Sequence, residues 1–225
     1  MIPRVRLDST TVPGQEGELQ LYQHDKDFYF HVRGCELMSS RTHGSEEVLA
    51  EVALAKLEST KAVRVLVGGL GMGFTLAKAL EIVGAESEVV VCELVPKIVE
   101  WNRTWFGALN GHPIDDARTA LVEGDVVPHI RKSRGGYHCI LLDVDNGPEA
   151  LTRDSNATLY TPHGLKAARA ALKPGGVLAI WSSSRHPWFT DRLQSAGFEV
   201  REERVRARQT KGARRTIWVA QRNKR

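Results

Sequence analysis

The stretch Val65-Leu66-Val67-Gly68-Gly69-Leu70-Gly71-Met72-Gly73 constrains the fold of this chain more than any other, because an apolar strand breaks into alternating glycines and then starts a helix. Apolar runs without polar alternation belong to strands covered on both faces, and such strands are parallel with helices between them. Glycine at the end of a strand lets backbone N–H groups come close to a ligand, and the helix that follows adds its partial positive charge. A second run, Val89-Val90-Val91-Cys92-Glu93, ends in an acid suited to hold a ribose hydroxyl pair. Together the two runs describe a nucleoside pocket at the carboxyl ends of neighbouring strands.

The spacing of the glycines narrows the kind of nucleoside. A dinucleotide fold wants two residues between its second and third glycines, and that place here is Phe74. The glycines fall instead at Gly69, Gly71 and Gly73, a run that resembles the nucleotide loop of S-adenosylmethionine-type transferases. Five strand-like runs, at 63–67, 88–92, 120–123, 139–142 and 176–181, alternate with helical stretches. Lys173-Pro174-Gly175-Gly176 reads as a helix stop and a turn into the fifth run. A closing hairpin joins 198–206 to 216–221. The expectation is an α/β, doubly wound, mostly parallel seven-stranded sheet, the Rossmann-like methyltransferase fold.

Ahead of it, Leu19-Gln20-Leu21-Tyr22-Gln23 and Phe28-Tyr29-Phe30-His31-Val32 alternate around Asp25-Lys26-Asp27, the pattern of a hairpin. Ser45 is placed to cap a helix running to Leu57. The chain of 225 residues therefore divides into a small N-terminal β appendage, 1–43, and a nucleoside-binding domain, 44–225. No stretch approaches the ~20 apolar residues of a membrane span, and Met1-Ile2-Pro3-Arg4-Val5-Arg6 lacks a signal core, so a cytoplasmic protein is expected. Cys35, Cys92 and Cys139 show no paired spacing, and the eight histidines are scattered, so neither disulfide nor metal site is expected.

Residues 201–225 hold ten Lys or Arg against Glu202 and Glu203, while the preceding 200 residues are net acidic. The basic run from Arg206 to Arg215 reads as the solvated tip of the closing hairpin, and a nucleic-acid partner is not expected.

Ligands in such sheets gather at the carboxyl ends of the strands. Besides Glu93, Gly124-Asp125 ends the third run and can either meet an adenine amino group or cap the next helix. In Leu141-Leu142-Asp143-Val144-Asp145-Asn146-Gly147-Pro148 an apolar strand runs into two carboxylates two residues apart, which need a cation, a proton or good donors if both face one mouth. Trp101 and Trp105 read as a packing pair against the sheet. Trp181, Trp188 and Phe189 are candidates for the wall of an apolar pocket or for core.

From 63 to 181, and loosely to 222, this order of motifs resembles the spermidine synthase family of aminopropyltransferases. Gly68 to Gly73, Glu93, Gly124-Asp125, Asp143 to Pro148 and Leu159-Tyr160 follow its glycine loop, second-strand acid, Gly-Asp pair, Asp loop and aromatic. The resemblance implies displacement at the carbon beside a sulfonium, moving an aminopropyl group from decarboxylated S-adenosylmethionine to a polyamine amine. It implies Gly68, Gly69, Gly71, Gly73, Glu93, Gly124 and Asp125 as the donor site and Asp143 as base. Asp145, Tyr160 and Glu47 are implied at the acceptor, and a homodimer is implied for the assembly. An alkylamine is protonated at neutral pH, so a base and in-line positioning suit that chemistry.

Three departures accompany the matches. Gly71 stands where the family carries a loop acid, the segment Glu36 to Gly44 carries Arg41 and His43, and the loop from Asp143 to Gly147 is short. They leave open methyl transfer from intact S-adenosylmethionine to a small molecule, and the basic tail leaves open a third reading, a non-catalytic module that binds nucleosides or RNA.

Overall fold

The computed structural model describes residues 3–14, 16–144, 147–148, 157–208 and 211–224. The expected N-terminal hairpin is the middle of a four-stranded antiparallel meander, formed by β1 (Val5–Thr11), β2 (Glu18–His24), β3 (Asp27–Val32) and β4 (Cys35–Ser39). The outer strands escape a periodicity reading for a physical reason. β1 is mostly half-buried, and β4 is five residues long with its first three exposed, so neither shows a buried face in its sequence.

This sheet is not an isolated appendage in its packing. Leu19, Leu21, Phe28 and Phe30 are buried in one core with the main body. The Phe30 ring lies 5.5 Å from Trp101 and 5.5 Å from Phe106, and Phe28 stands edge-on to Phe106 at 5.3 Å. Burying such a side chain contributes about 1.5–3 kcal/mol, so these few contacts hold the sheet in place. Trp101 Nε1 also donates to Asp8 Oδ2 at 2.9 Å. Trp101 thus packs beneath the N-terminal sheet, and the helix it ends passes into a π-helical turn, Asn102–Phe106, which removes Trp105 from the regular four-residue spacing.

The body follows the expected alternation. In chain order, α1 (Gly44–Leu54), β5 (Arg64–Gly68), α2 (Phe74–Ile82), β6 (Glu88–Glu93), α3 (Pro96–Trp101) and α4 (Gly107–Asn110) form its first half. The second half comprises β7 (Thr119–Glu123), α5 (Val126–Lys132), β8 (Tyr137–Leu142), α6 (Pro162–Ala171), β9 (Leu172–Ser182), α7 (Pro187–Ser195), β10 (Phe198–Arg208) and β11 (Lys211–Arg222). The sheet order is β10-β11-β9-β8-β5-β6-β7, with β11 antiparallel to both neighbours and the other pairings parallel. Val65 and Val67 face one core and Leu66 the other, the alternation of a strand buried on both sides.

Three local expectations are corrected. Ser45 does not cap α1, since its hydroxyl donates to Glu46 Oε2 at 2.6 Å, and the helix ends at Leu54. Lys173-Pro174-Gly175-Gly176 lies within β9, where the pairing with β8 slips between Tyr137 and Cys139 and Gly175 adopts φ +78°. The closing hairpin is longer than expected, so most of the basic run is strand. Cys92 and Cys139 sit buried in β6 and β8 as small hydrophobes.

Candidate functional site

A cavity of about 200 Å³ opens where β5, β6, β7, β8 and β9 end. Its floor is the crevice beside the point where strand order reverses around β5, the place where open α/β sheets take their ligands. Its roof comes from the N-terminal sheet, through Leu19, Phe30, Val32, Leu37 and Met38.

The glycines divide into two kinds. Gly69 and Gly71 line the cavity; Gly68 and Gly73 lie behind it. A Cβ on Gly68 would stand 2.9 Å from Leu142 Cδ2, so this residue serves the packing of β5 on β8. Gly69 adopts φ +88°, and its Cβ would meet the Asp143 carbonyl at 2.5 Å. Only glycine lets the loop pass so close to the strand-end acid. Gly73 precedes α2 with φ +87° beside two side chains that sequence reasoning missed. These are Asn102, whose amide donates to the Gly71 carbonyl at 2.8 Å, and Asn110, whose amide donates to the Met72 carbonyl at 2.7 Å.

Glu93, at the end of β6, is buried and faces the cavity. Leu70 N–H donates to its Oε2 at 2.9 Å and Val95 N–H to its Oε1 at 2.8 Å. Burial pushes its pKa up, against the opposing pull of those N–H groups. The acid therefore fixes the glycine loop and the entry to α3, with the Gly71 and Leu94 N–H groups also acting on its carboxyl. Gly124 and Asp125 also line the cavity; Asp125 caps α5 by accepting from Val127 N–H at 2.8 Å. For Asp125 the capping service and the position at the site coexist.

At the other end of the cavity stands Asp143, half-buried just past β8. Thr75, in the first turn of α2, donates from its hydroxyl to Asp143 Oδ2 at 2.6 Å and lies 3.3 Å from the Glu46 carbonyl. Glu46, which no motif singled out, is 6 % exposed and turns into the same cavity from α1. Burial and the Asp143 charge push its carboxyl up to about 8, with the Ser45 hydroxyl pulling it back. Burial pushes Asp143 up to about 6, opposed by Thr75. Both carboxyls are pushed up by burial and each resists the other's charge, so the pair holds back from losing both protons together.

Other expected residues lie elsewhere. Glu47 points away from the cavity and pairs with His43, whose Nδ1 is 2.9 Å from Glu47 Oε1 and whose ring stacks on Phe74. The reason is helical phase: Glu46 shares the buried stripe of Leu49, Ala50 and Ala53, and its neighbour does not. Tyr160 is core: its ring stands edge-on to Phe189 and its hydroxyl donates to the Val144 carbonyl at 3.3 Å. Asp145 lies outside the described residues. Trp181, at the end of β9, does line the cavity, whereas Phe189 is buried against Trp218 and Trp188 is exposed beneath Arg192.

Over Gly71 the roof is apolar. A Cβ there would stand 3.2 Å from Met38 Sδ, so a thioether covers the loop at this place. Among the described residues, no group of three or more His, Cys, Asp or Glu is arranged to hold a metal ion.

Comparison with known proteins bears on this geometry. Residues 42–199 match the family model described as the spermine/spermidine synthase domain. A polyamine aminopropyltransferase of Nitrosomonas europaea is 32% identical over 117 residues, covering 51% of this chain and 34% of that protein. Polyamine aminopropyltransferase 1 of Streptomyces coelicolor is 27% identical over 151 residues, covering 63% of this chain and 27% of that protein. The matched stretches thus span less than half the length of these relatives. In three dimensions the chain resembles the spermidine synthase from Thermotoga maritima, with a TM-score of 0.78 at 19% identity over 98% of this chain and 74% of that one. A spermidine synthase in complex with the transition state analogue AdoDATO gives 0.76 at 19% identity. At that identity the likeness is one of fold.

Proposed function

This chain belongs to the spermine/spermidine synthase family, and we propose that it transfers an aminopropyl group from decarboxylated S-adenosylmethionine to the amine of a small polyamine. The observation that carries the proposal is the placing of Asp143 and Glu46 in one cavity with the glycine loop and Glu93. In this reading Glu93 and Asp125 hold the ribose and base, and Gly69 and Gly71 give the donor its close approach. The acceptor arrives as an ammonium, attracted by the Asp143 carboxylate. Asp143 takes one of its protons, and the freed lone pair attacks the carbon beside the sulfonium. The C–S bond breaks with its electron pair going to sulfur, and methylthioadenosine leaves as a neutral thioether.

The environment suits those roles. Burial brings Asp143 closer in basicity to the amine than an exposed carboxylate, and a proton held between Asp143 and Glu46 spares the cavity a second charge. By the same family reading the enzyme acts as a cytoplasmic homodimer without a metal. Among the described residues no helix is long and apolar enough to cross a membrane.

One observation favours a second reading. The thioether cover at Gly71 offers no acid to an aminopropyl ammonium, and it would accept intact S-adenosylmethionine and methyl transfer equally well. Calorimetric titration with S-adenosylmethionine, its decarboxylated form and methylthioadenosine separates the two. Preference for the decarboxylated form by tenfold or more, about 1.4 kcal/mol, supports aminopropyl transfer. Preference for the intact form supports methyl transfer, and binding of none of the three removes both.

A further inference from the structure

The closing hairpin carries a feature that the transfer chemistry does not use. β9 pairs with β11 only from Thr216 opposite Ser182 to Gln221 opposite Val177. Beyond that point, among the described residues, β10 and β11 have only each other as strand partners, and they continue as a two-stranded ribbon to Arg208 and Lys211. Its two faces differ in chemistry. On the inner face Ala207 is buried, Val205 packs on the core, and the Arg215 guanidinium lies 5.5 Å from the centre of the Trp181 ring.

The outer side is basic. Arg204, Arg206, Arg208, Lys211 and Arg214 are all exposed. Arg206 stands directly opposite Arg214 and Arg208 opposite Lys211, so like charges face one another across the ladder. Such pairs are destabilising in the isolated protein. Neutralising acids are spent elsewhere: Glu202 pairs with Arg185 at 2.6 Å and Glu203 with Arg201 at 2.6 Å. Among the described residues none of the five outer cations has a carboxylate partner.

We propose that this ribbon is a binding surface for the phosphate backbone of a nucleic acid. Alternate residues of a strand are about 6.8 Å apart on one face, which presents a row of cations to a linear polyanion. Four of the five are arginine, whose planar fork matches phosphate oxygens two at a time. A two-stranded ribbon is also narrow enough for a nucleic-acid groove. An anionic membrane fits less well, because the exposed large apolar side chains of the described residues, Val5, Leu37, Leu109 and Trp188, all lie off the ribbon, and surface-binding elements need an apolar face beside their charge.

The test measures fluorescence anisotropy of a labelled mixed-sequence 20-base-pair DNA and a 20-nucleotide RNA between 50 and 200 mM NaCl. Four to five phosphate contacts give a slope of log affinity against log salt of about −3 to −4.5. The combined substitution Arg204→Gln, Arg206→Gln, Arg208→Gln and Arg214→Gln is expected to weaken binding by about 30-fold or more at 50 mM salt and to flatten that slope. Its melting temperature is expected to hold or rise, and methylthioadenosine affinity to stay unchanged, because none of the four residues lines the cavity. A wild-type slope shallower than −1, or a variant that binds like the wild type, overturns the proposal. Tighter binding to phosphatidylserine vesicles than to either nucleic acid, lost in the same variant, also overturns it and gives the ribbon to a membrane surface.

Discussion

The two ends of the cavity are built on opposite principles. At the glycine-loop end, Glu93 accepts from Leu70 and Val95, Asp125 from Val127, and Asn102 and Asn110 hold the loop carbonyls. Each of these residues has at least one partner before any ligand arrives, although the side-chain oxygens of Asn102 and Asn110 are buried without one. At the Asp143 end, two carboxyls share a cavity, supported by the hydroxyls of Thr75 and Ser45. The first end is held by fixed hydrogen bonds, and at the second the Arg215 guanidinium offsets the two carboxyls only in part, a balance that the proposed cationic acceptor would complete. Affinity for the nucleoside and rate of transfer should therefore respond to different residues.

Asp143→Asn provides the largest break in this comparison. Turnover is expected to fall at least ~100-fold while methylthioadenosine affinity changes less than about threefold, read by initial rates and calorimetry. Equal losses in both would erase the division. Glu93→Ala should act the other way, weakening nucleoside binding by about 1–3 kcal/mol, since the Leu70 and Val95 N–H groups lose their acceptor. Unchanged affinity in that variant removes Glu93 from the ribose role.

A smaller effect concerns stability and its sign. Burial and the Asp143 charge push the folded Glu46 carboxyl up to about 8, well above an exposed glutamate, so the folded state binds the proton more tightly than the unfolded state does. Its favourable contribution is complete at low pH and is lost as pH rises from the unfolded toward the folded value. Wild-type protein should melt at least about 2–4 °C lower at pH 8 than at pH 5, roughly 1 kcal/mol for a chain of this size. Glu46→Gln should flatten the dependence, and a wild type with no fall in melting temperature would show the pair to be uncoupled from folding.

The smallest expected effect tests the thioether cover. Gly71→Asp together with Met38→Ala puts an acid where the loop now has none, in a left-handed conformation that Asp tolerates. Discrimination for decarboxylated over intact S-adenosylmethionine should rise by about 3- to 10-fold, from one partly exposed charge contact. No change in the ratio of affinities would mean that this part of the roof does not meet the transferred group.

What could be read from the sequence follows the same division. Glycines after an apolar strand, and acids at strand ends, are local signals because backbone geometry dictates them within a few residues. They placed Gly69, Gly71, Glu93, Gly124, Asp125 and Asp143 on one cavity. Glu46 was legible in principle, as an acid three, four and seven residues before the buried Leu49, Ala50 and Ala53, yet its neighbour Glu47 drew the reading instead. Tyr160 follows from motif order alone, and which way a side chain points is a tertiary property that order does not specify. The roof was illegible for a further reason. Met38 meets Gly71 across 33 positions of sequence, and that meeting depends on how Phe28 and Phe30 seat on Phe106.

That seating has a consequence for how such a protein can change over generations. Leu19 and Phe30 line the cavity and also belong to the core that joins the two sheets. The roof therefore cannot be exchanged like a cartridge, and removing it would expose Trp101 and Phe106 together with the ligand. New substrate preference is confined to residues such as Leu37, which is exposed, and Met38, which is half-buried, both touching the cavity from the edge strand β4. Innovation in this architecture is channelled through a short edge strand, while its neighbours are held fixed by the demands of folding.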